Sequence, residues 1–178
     1  MRLKRTVFVL SSCLFGFVRV GAAMPATDPC SLPQSLQREV ASKYPGARLL
    51  TLQDLAEDDK DLFQKDHGHR CPGLVSVDFY GDGKPTFALV LVANTGAKVD
   101  AELVVAHEVN QKWELALFDK ADSSKPVVWG QGPGEYQDVY GDKKLRATKP
   151  VIVFCGYNAW AILYAWTGSR VDKIWLRD

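Results

Sequence analysis

Val75-Ser76-Val77-Asp78-Phe79-Tyr80, the turn cluster Gly81-Asp82-Gly83-Lys84-Pro85 and the apolar run Phe87-Ala88-Leu89-Val90-Leu91-Val92-Ala93 decide the fold class. Val75, Val77 and Phe79 alternate with Ser76, Asp78 and Tyr80, the period of two of a strand with one buried face. Two glycines and an Asp between two such runs are hairpin chemistry, because glycine reaches positive φ and Asp bonds its own backbone. Toward the C-terminus the pattern repeats at short spacing. Strands are expected at Glu102–Glu108, with Leu103, Val105 and His107 on one side, and at Trp113–Phe118, with Asn110-Gln111 turning between them. A short piece follows at Val127-Val128-Trp129, then Val151–Phe154, Ala159–Trp166 and Val171–Leu176, while 119–126 and 130–135 read as loops.

Toward the N-terminus the period changes. Leu36, Val40 and Tyr44 recur at intervals of four, so the spacing predicts a helix over 33–44, with Pro33 in its first turn and Ser31 as a cap. Arg48 to Leu52 reads as a short strand. A second helix is expected over 54–64, starting on Asp54 with Glu57 three residues on, a capping-box pattern. The fold class is therefore α+β: N-terminal helices packed on a curved antiparallel sheet, or a partly closed barrel, of about seven strands. Short links favour antiparallel neighbours, since parallel ones need a crossover of about a dozen residues or more.

The chain has 178 residues, 47% hydrophobic and 24% charged, with a formal net charge of +1. That composition excludes a disordered chain, a fibre and a polytopic membrane protein. Near-neutral charge gives no reason to expect nucleic acid as a partner. The basic start Met1-Arg2-Leu3-Lys4-Arg5, the uncharged run Thr6 to Val18 and small residues at Gly21, Ala22, Ala23 and Ala26 have the three parts of a secretory signal peptide over residues 1–26. The run is shorter than the ~20 apolar residues a membrane span needs, so no transmembrane segment is expected after cleavage. Cleavage removes four of the 22 basic residues and none of the 21 acidic ones, leaving 27–178 as one domain with a net charge of −3. A periplasmic or secreted location follows. Leu10-Ser11-Ser12-Cys13 offers a rival, a lipoprotein anchored through Cys13.

Export puts Cys30, Cys71 and Cys155 where disulfides persist. Three thiols allow three single pairings with one left over. A bridge involving Cys71 is favoured, because that residue borders a loop and a strand.

Four segments carry candidate chemistry. Asp78-Phe79-Tyr80-Gly81-Asp82-Gly83-Lys84-Pro85 resembles the calcium loop of FG-GAP/VCBS repeats. Asp78, Gly81, Asp82 and Gly83 match that pattern, as does the apolar strand that follows. Tyr80 and Thr86 stand where the family has acids. The resemblance implies calcium held by Asp78 and Asp82; read without it, the segment is a hairpin turn and no cofactor is expected. Asp66-His67-Gly68-His69-Arg70-Cys71 sets His67, His69 and a thiol two apart, donor types that Zn²⁺ or Cu²⁺ takes, with His107 as a further donor. The alternative is a surface loop. Trp129, Gly132 and Tyr136 belong to a glycine-rich segment that reads as a recognition loop or as an ordinary connection. Trp160, Ile162, Tyr164 and Trp166 share one face of a strand, either a core face or a carbohydrate-stacking platform.

Nucleophile signatures such as Gly-x-Ser-x-Gly and His-Glu-x-x-His are absent from the sequence. The leading expectation is a non-enzymatic exported domain that binds a protein or a cell-envelope component, one version being an inhibitor or immunity-type protein. The alternatives are a secreted hydrolase working through Asp66, His67, His69 and Asp82, and a structural domain stabilised by calcium.

Overall fold

The computed structural model describes residues 28–95, 98–122, 125–157 and 159–176; the proposed signal segment and Cys13 lie outside the described residues. Among the described residues two helices, α1 (Gln34–Lys43) and α2 (Glu57–His67), accompany eleven strands where the sequence pattern suggests about seven. These are β1 (Arg48–Leu49), β2 (Leu74–Val77), β3 (Thr86–Thr95), β4 (Lys98–Val109), β5 (Lys112–Asp122), β6 (Val127–Gln131), β7 (Gly134–Gln137), β8 (Lys144–Ala147), β9 (Val151–Gly156), β10 (Trp160–Trp166) and β11 (Val171–Leu176). All pairings are antiparallel. One sheet runs β1-β3-β4-β5 with β2 also on β3, a second runs β11-β10-β9-β6, and β7 pairs with β8 alone; none closes into a barrel.

The alternation read from the sequence sorts side chains into layers. Ala88, Val90, Val92, Leu103 and Val105 of the first sheet meet Ile152, Phe154, Ile162 and Tyr164 of the second, forming the central core. The opposite face of the first sheet, Leu89, Leu91, Val104 and Ala106, packs on Leu36 and Val40 of α1. The opposite face of the second, Val151, Val153, Leu163 and Ile174, is covered by Leu145 and Ala147 of the β7-β8 hairpin. Each fully buried Val, Leu, Ile or Phe among them is worth about 1.5–3 kcal/mol relative to exposure. The hairpin escapes the sequence reading because each of its strands brings only one or two apolar residues to that third layer.

Along one side the two sheets touch. An ideal Cβ on Gly130 of β6 would stand 2.5 Å from Val77 Cγ1 of β2, so only glycine permits this approach. The Val128 amide also donates to the Pro72 carbonyl at 2.8 Å. Cys30 is bridged to Cys71 just before β2, with Cα atoms 5.0 Å apart, and Cys155 is a buried thiol in β9. The bridge ties the segment leading into α1 to this closed seam.

The second helix starts later than its sequence suggests. Asp54 ends a short 3-10 turn, and its carboxylate accepts from Arg48 Nη1 at 2.7 Å and from the Thr51 amide at 2.8 Å. The Arg48 guanidinium holds that carboxyl well below the usual range. Asp54 is therefore unavailable as a helix cap, and α2 begins at Glu57 after Ala56. α1 likewise starts after Pro33 with no side-chain cap from Ser31.

The outer strands are unequally dressed. On β11, the Val139 amide donates to the Trp175 carbonyl at 2.8 Å, and the Trp175 amide donates to Asp138 Oδ2 at 3.1 Å. On β5, Lys43 Nζ donates to the Leu115 carbonyl at 2.6 Å. No described helix is long and apolar enough to cross a membrane.

Candidate functional site

Opposite the closed seam, β5 of one sheet faces β10 and β11 of the other, and the local sequence of β5 shapes what they enclose. Leu117 lies opposite Val104, but Asp119 lies opposite Leu103, which makes Phe118 an extra residue, a β-bulge. Leu115, before the bulge, packs toward α1, whereas Ala121, after it, packs into the central core. The extra residue therefore turns both Phe118 and Asp119 toward the space between the sheets. Phe118 stacks tilted on Tyr164 at 5.5 Å. Asp119 Oδ2 accepts short hydrogen bonds from the Tyr164 hydroxyl and from Lys173 Nζ, and Oδ1 accepts from the Lys120 amide at 2.9 Å.

Burial pushes the Asp119 carboxyl up, but the hydrogen bonds from Lys173, Tyr164 and the Lys120 amide outweigh it and leave the group below the ordinary carboxylate range. Burial and the neighbouring Asp119 drive the Tyr164 phenol far above its usual value. Both groups are thus fixed in one state at neutral pH: Asp119 as an acceptor, Tyr164 as a donor.

Beside this network lies a cleft of about 300 Å³. Ala121 and Ile162 floor it, Asp119 and Lys120 form one wall, and Trp160, Lys173 and Trp175 form the other. Trp175 is 42% exposed, and Lys173 Nζ stands 5.5 Å from its ring centroid. Trp160 is held against Phe154 at 5.0 Å, edge to face.

At the turn between β2 and β3, His107 Nε2 of β4 bonds Asp82 Oδ2 at 3.0 Å and its Nδ1 bonds Thr86 Oγ1 at 3.1 Å. Tyr80 lies over the imidazole at 4.6 Å and meets Trp166 at 5.2 Å. An Asp–His–Thr chain has the outline of a hydrolase relay. Here Thr86 is 0% exposed, so its hydroxyl cannot reach a substrate. The chain ties the β2-β3 turn to β4.

The other sequence candidates fall in separate places. His67 ends α2 between Phe63 and Trp129, 4.9 Å from each ring, and burial lowers its pKa. His69 lines a recess with Asp28 and Thr51, while Cys71 is occupied by its disulfide. Among the described residues no group of three or more His, Cys, Asp or Glu that could hold a metal ion converges. In the calcium-like loop, Asp78 Oδ2 accepts from the Gly83 amide at 3.2 Å and Asp82 Oδ1 from the Lys84 amide at 3.1 Å. Gly81, at φ +71°, is covered by the Lys149 side chain. The turn thus brings together two carboxylates, each with one oxygen on a backbone amide, and Asp78 Oδ1 is buried without a hydrogen-bond partner; calcium takes six to eight oxygens. Tyr136 donates to the Gly132 carbonyl at 2.5 Å, folding the glycine-rich segment onto itself, and Trp129 is half-buried against His67.

Tyr164 and Ile162 lie in the core, so their strand face is not an open platform; of its residues Trp160 and Ile162 line the cleft. Asp119, Lys173 and Trp175 carry no sequence motif. Their one trace is the lost alternation at Leu117-Phe118-Asp119, where two apolar residues run together before an acid. Comparison of the chain with models of known families, with curated proteins and with solved structures finds no match.

Proposed function

We propose that this protein is an exported, non-enzymatic binding domain that recognises a protein or cell-envelope component through the cleft between β5 and β11. The observation that carries this reading is Asp119: a bulge turns it inward, Tyr164 and Lys173 hold it, and two indoles stand beside it. Rigid aromatic side chains next to a few oriented polar groups are the usual makeup of a recognition site. The secretory pattern of residues 1–26 and the Cys30–Cys71 bridge support an extracytoplasmic location. The hydrolase alternative has less support, since its histidines lie apart and the only Asp–His–hydroxyl chain described ends on a buried oxygen.

The test is affinity capture from envelope extract with the secreted protein, a Trp175→Ala/Asp119→Asn variant and a Trp129→Ala/Tyr136→Ala variant. The cleft variant should lose the partner that the wild type and the glycine-loop variant retain. Equal recovery by all three would remove the cleft from the function.

A further inference from the structure

We infer that the cleft takes one uncharged hexopyranose unit of a glycan, an assignment that rests on the binding reading above and names its ligand class. The argument begins with unused hydrogen-bonding capacity. A lysine ammonium has three N–H donors, and one of those on Lys173 goes to Asp119. An ionised carboxylate offers about four acceptor sites, and Asp119 fills three with Tyr164, Lys173 and the Lys120 amide. What remains is two donors on Lys173 and one acceptor on Asp119, on adjoining groups held in place. Neighbouring hydroxyls of a sugar ring supply the matching acceptor and donor together.

Charge points the same way. Lys173 is neutralised by Asp119, and Lys120 pairs with Glu102 at 2.7 Å, so a charged ligand would find no unpaired partner in this wall. An apolar protein anchor fits poorly too. It would strip water from the Asp119–Lys173 pair without replacing those hydrogen bonds. A polyhydroxylated ring replaces them, and its C–H face can lie on an indole. Both indoles are already positioned, Trp160 by Phe154 and Trp175 by Lys173, so little side-chain freedom is lost on binding. A volume of about 300 Å³ is at the small end for a ligand site and suits one ring, with the rest of the chain passing out between the sheet edges.

The test titrates the secreted protein with three uncharged tetrasaccharides, chitotetraose, cellotetraose and maltotetraose, followed by tryptophan fluorescence and calorimetry. At least one should bind. Trp175→Ala and Lys173→Met should each weaken that binding about fivefold to tenfold, the scale of one aromatic contact or hydrogen bond. Trp129→Phe, distant from the cleft, should bind as wild type does. Silence across the panel, or cleft variants that bind as wild type does, would overturn the assignment. Should the envelope partner then prove to be a protein whose capture still depends on Trp175, the binding reading stands and only the glycan falls. Capture that ignores the cleft variant takes both down.

Discussion

A single inserted residue, Phe118, determines what the opening between the sheets contains. Had β5 kept regular alternation through Phe118, Asp119 would share the α1-facing side of Leu115, and the Tyr164 hydroxyl, on a residue 3% exposed, would have no carboxylate to meet. Asp119→Ala should therefore cost about 1–3 kcal/mol in urea unfolding, the penalty for leaving a buried donor unpaired. Tyr164→Phe should cost less, because Asp119 keeps Lys173 and the Lys120 amide. The pH dependence has a definite sign. The folded-state pKa of Asp119 is lowered, so its contribution is complete above the unfolded carboxylate value of about 3.9 and disappears as pH falls through the folded value. The stability gap between wild type and Asp119→Ala should be level from pH 7 to about pH 5 and narrow below about pH 4. A gap that widened on acidification would contradict the assignment.

At the scale of elements, local chemistry predicts most of what was legible in the sequence. Asn110-Gln111 turns β4 into β5 with φ of +50° and +64°, a two-residue hairpin in which both positions are left-handed. Asn tolerates that region and Gln does not, so Gln111→Gly should stabilise the protein by about 0.5–1 kcal/mol, read as a rise of a few degrees in melting temperature. Long strands such as β3, β4 and β10 were visible because each carries a long apolar or alternating run. β7 and β8 were hidden by brevity and polarity, with Tyr136, Leu145 and Ala147 as their main apolar contacts. The start of α2 was misplaced for a different reason. Asp54 has the right chemistry for a cap, but Arg48 binds it first, and a long-range partner of that kind leaves no local mark.

The molecule as a whole joins two sheets along one side and leaves them apart along the other. Neither arrangement could be read in advance, because the period of two says which face is buried and not which sheet buries it. Gly130 is the tightest point of the joined side, so Gly130→Val should lower stability by about 1–3 kcal/mol in chemical denaturation, through collision with Val77. An unchanged midpoint would mean that the seam yields. The loop that holds β11 has a further effect. An outermost strand with bare amides and carbonyls is a template on which other chains can stack into fibrils. Asp138 and Val139 occupy those groups at Trp175, beside the cleft. The exposed indole of Trp175 thus stands on a strand whose outer backbone groups at that residue are already occupied and offer no seed for aggregation.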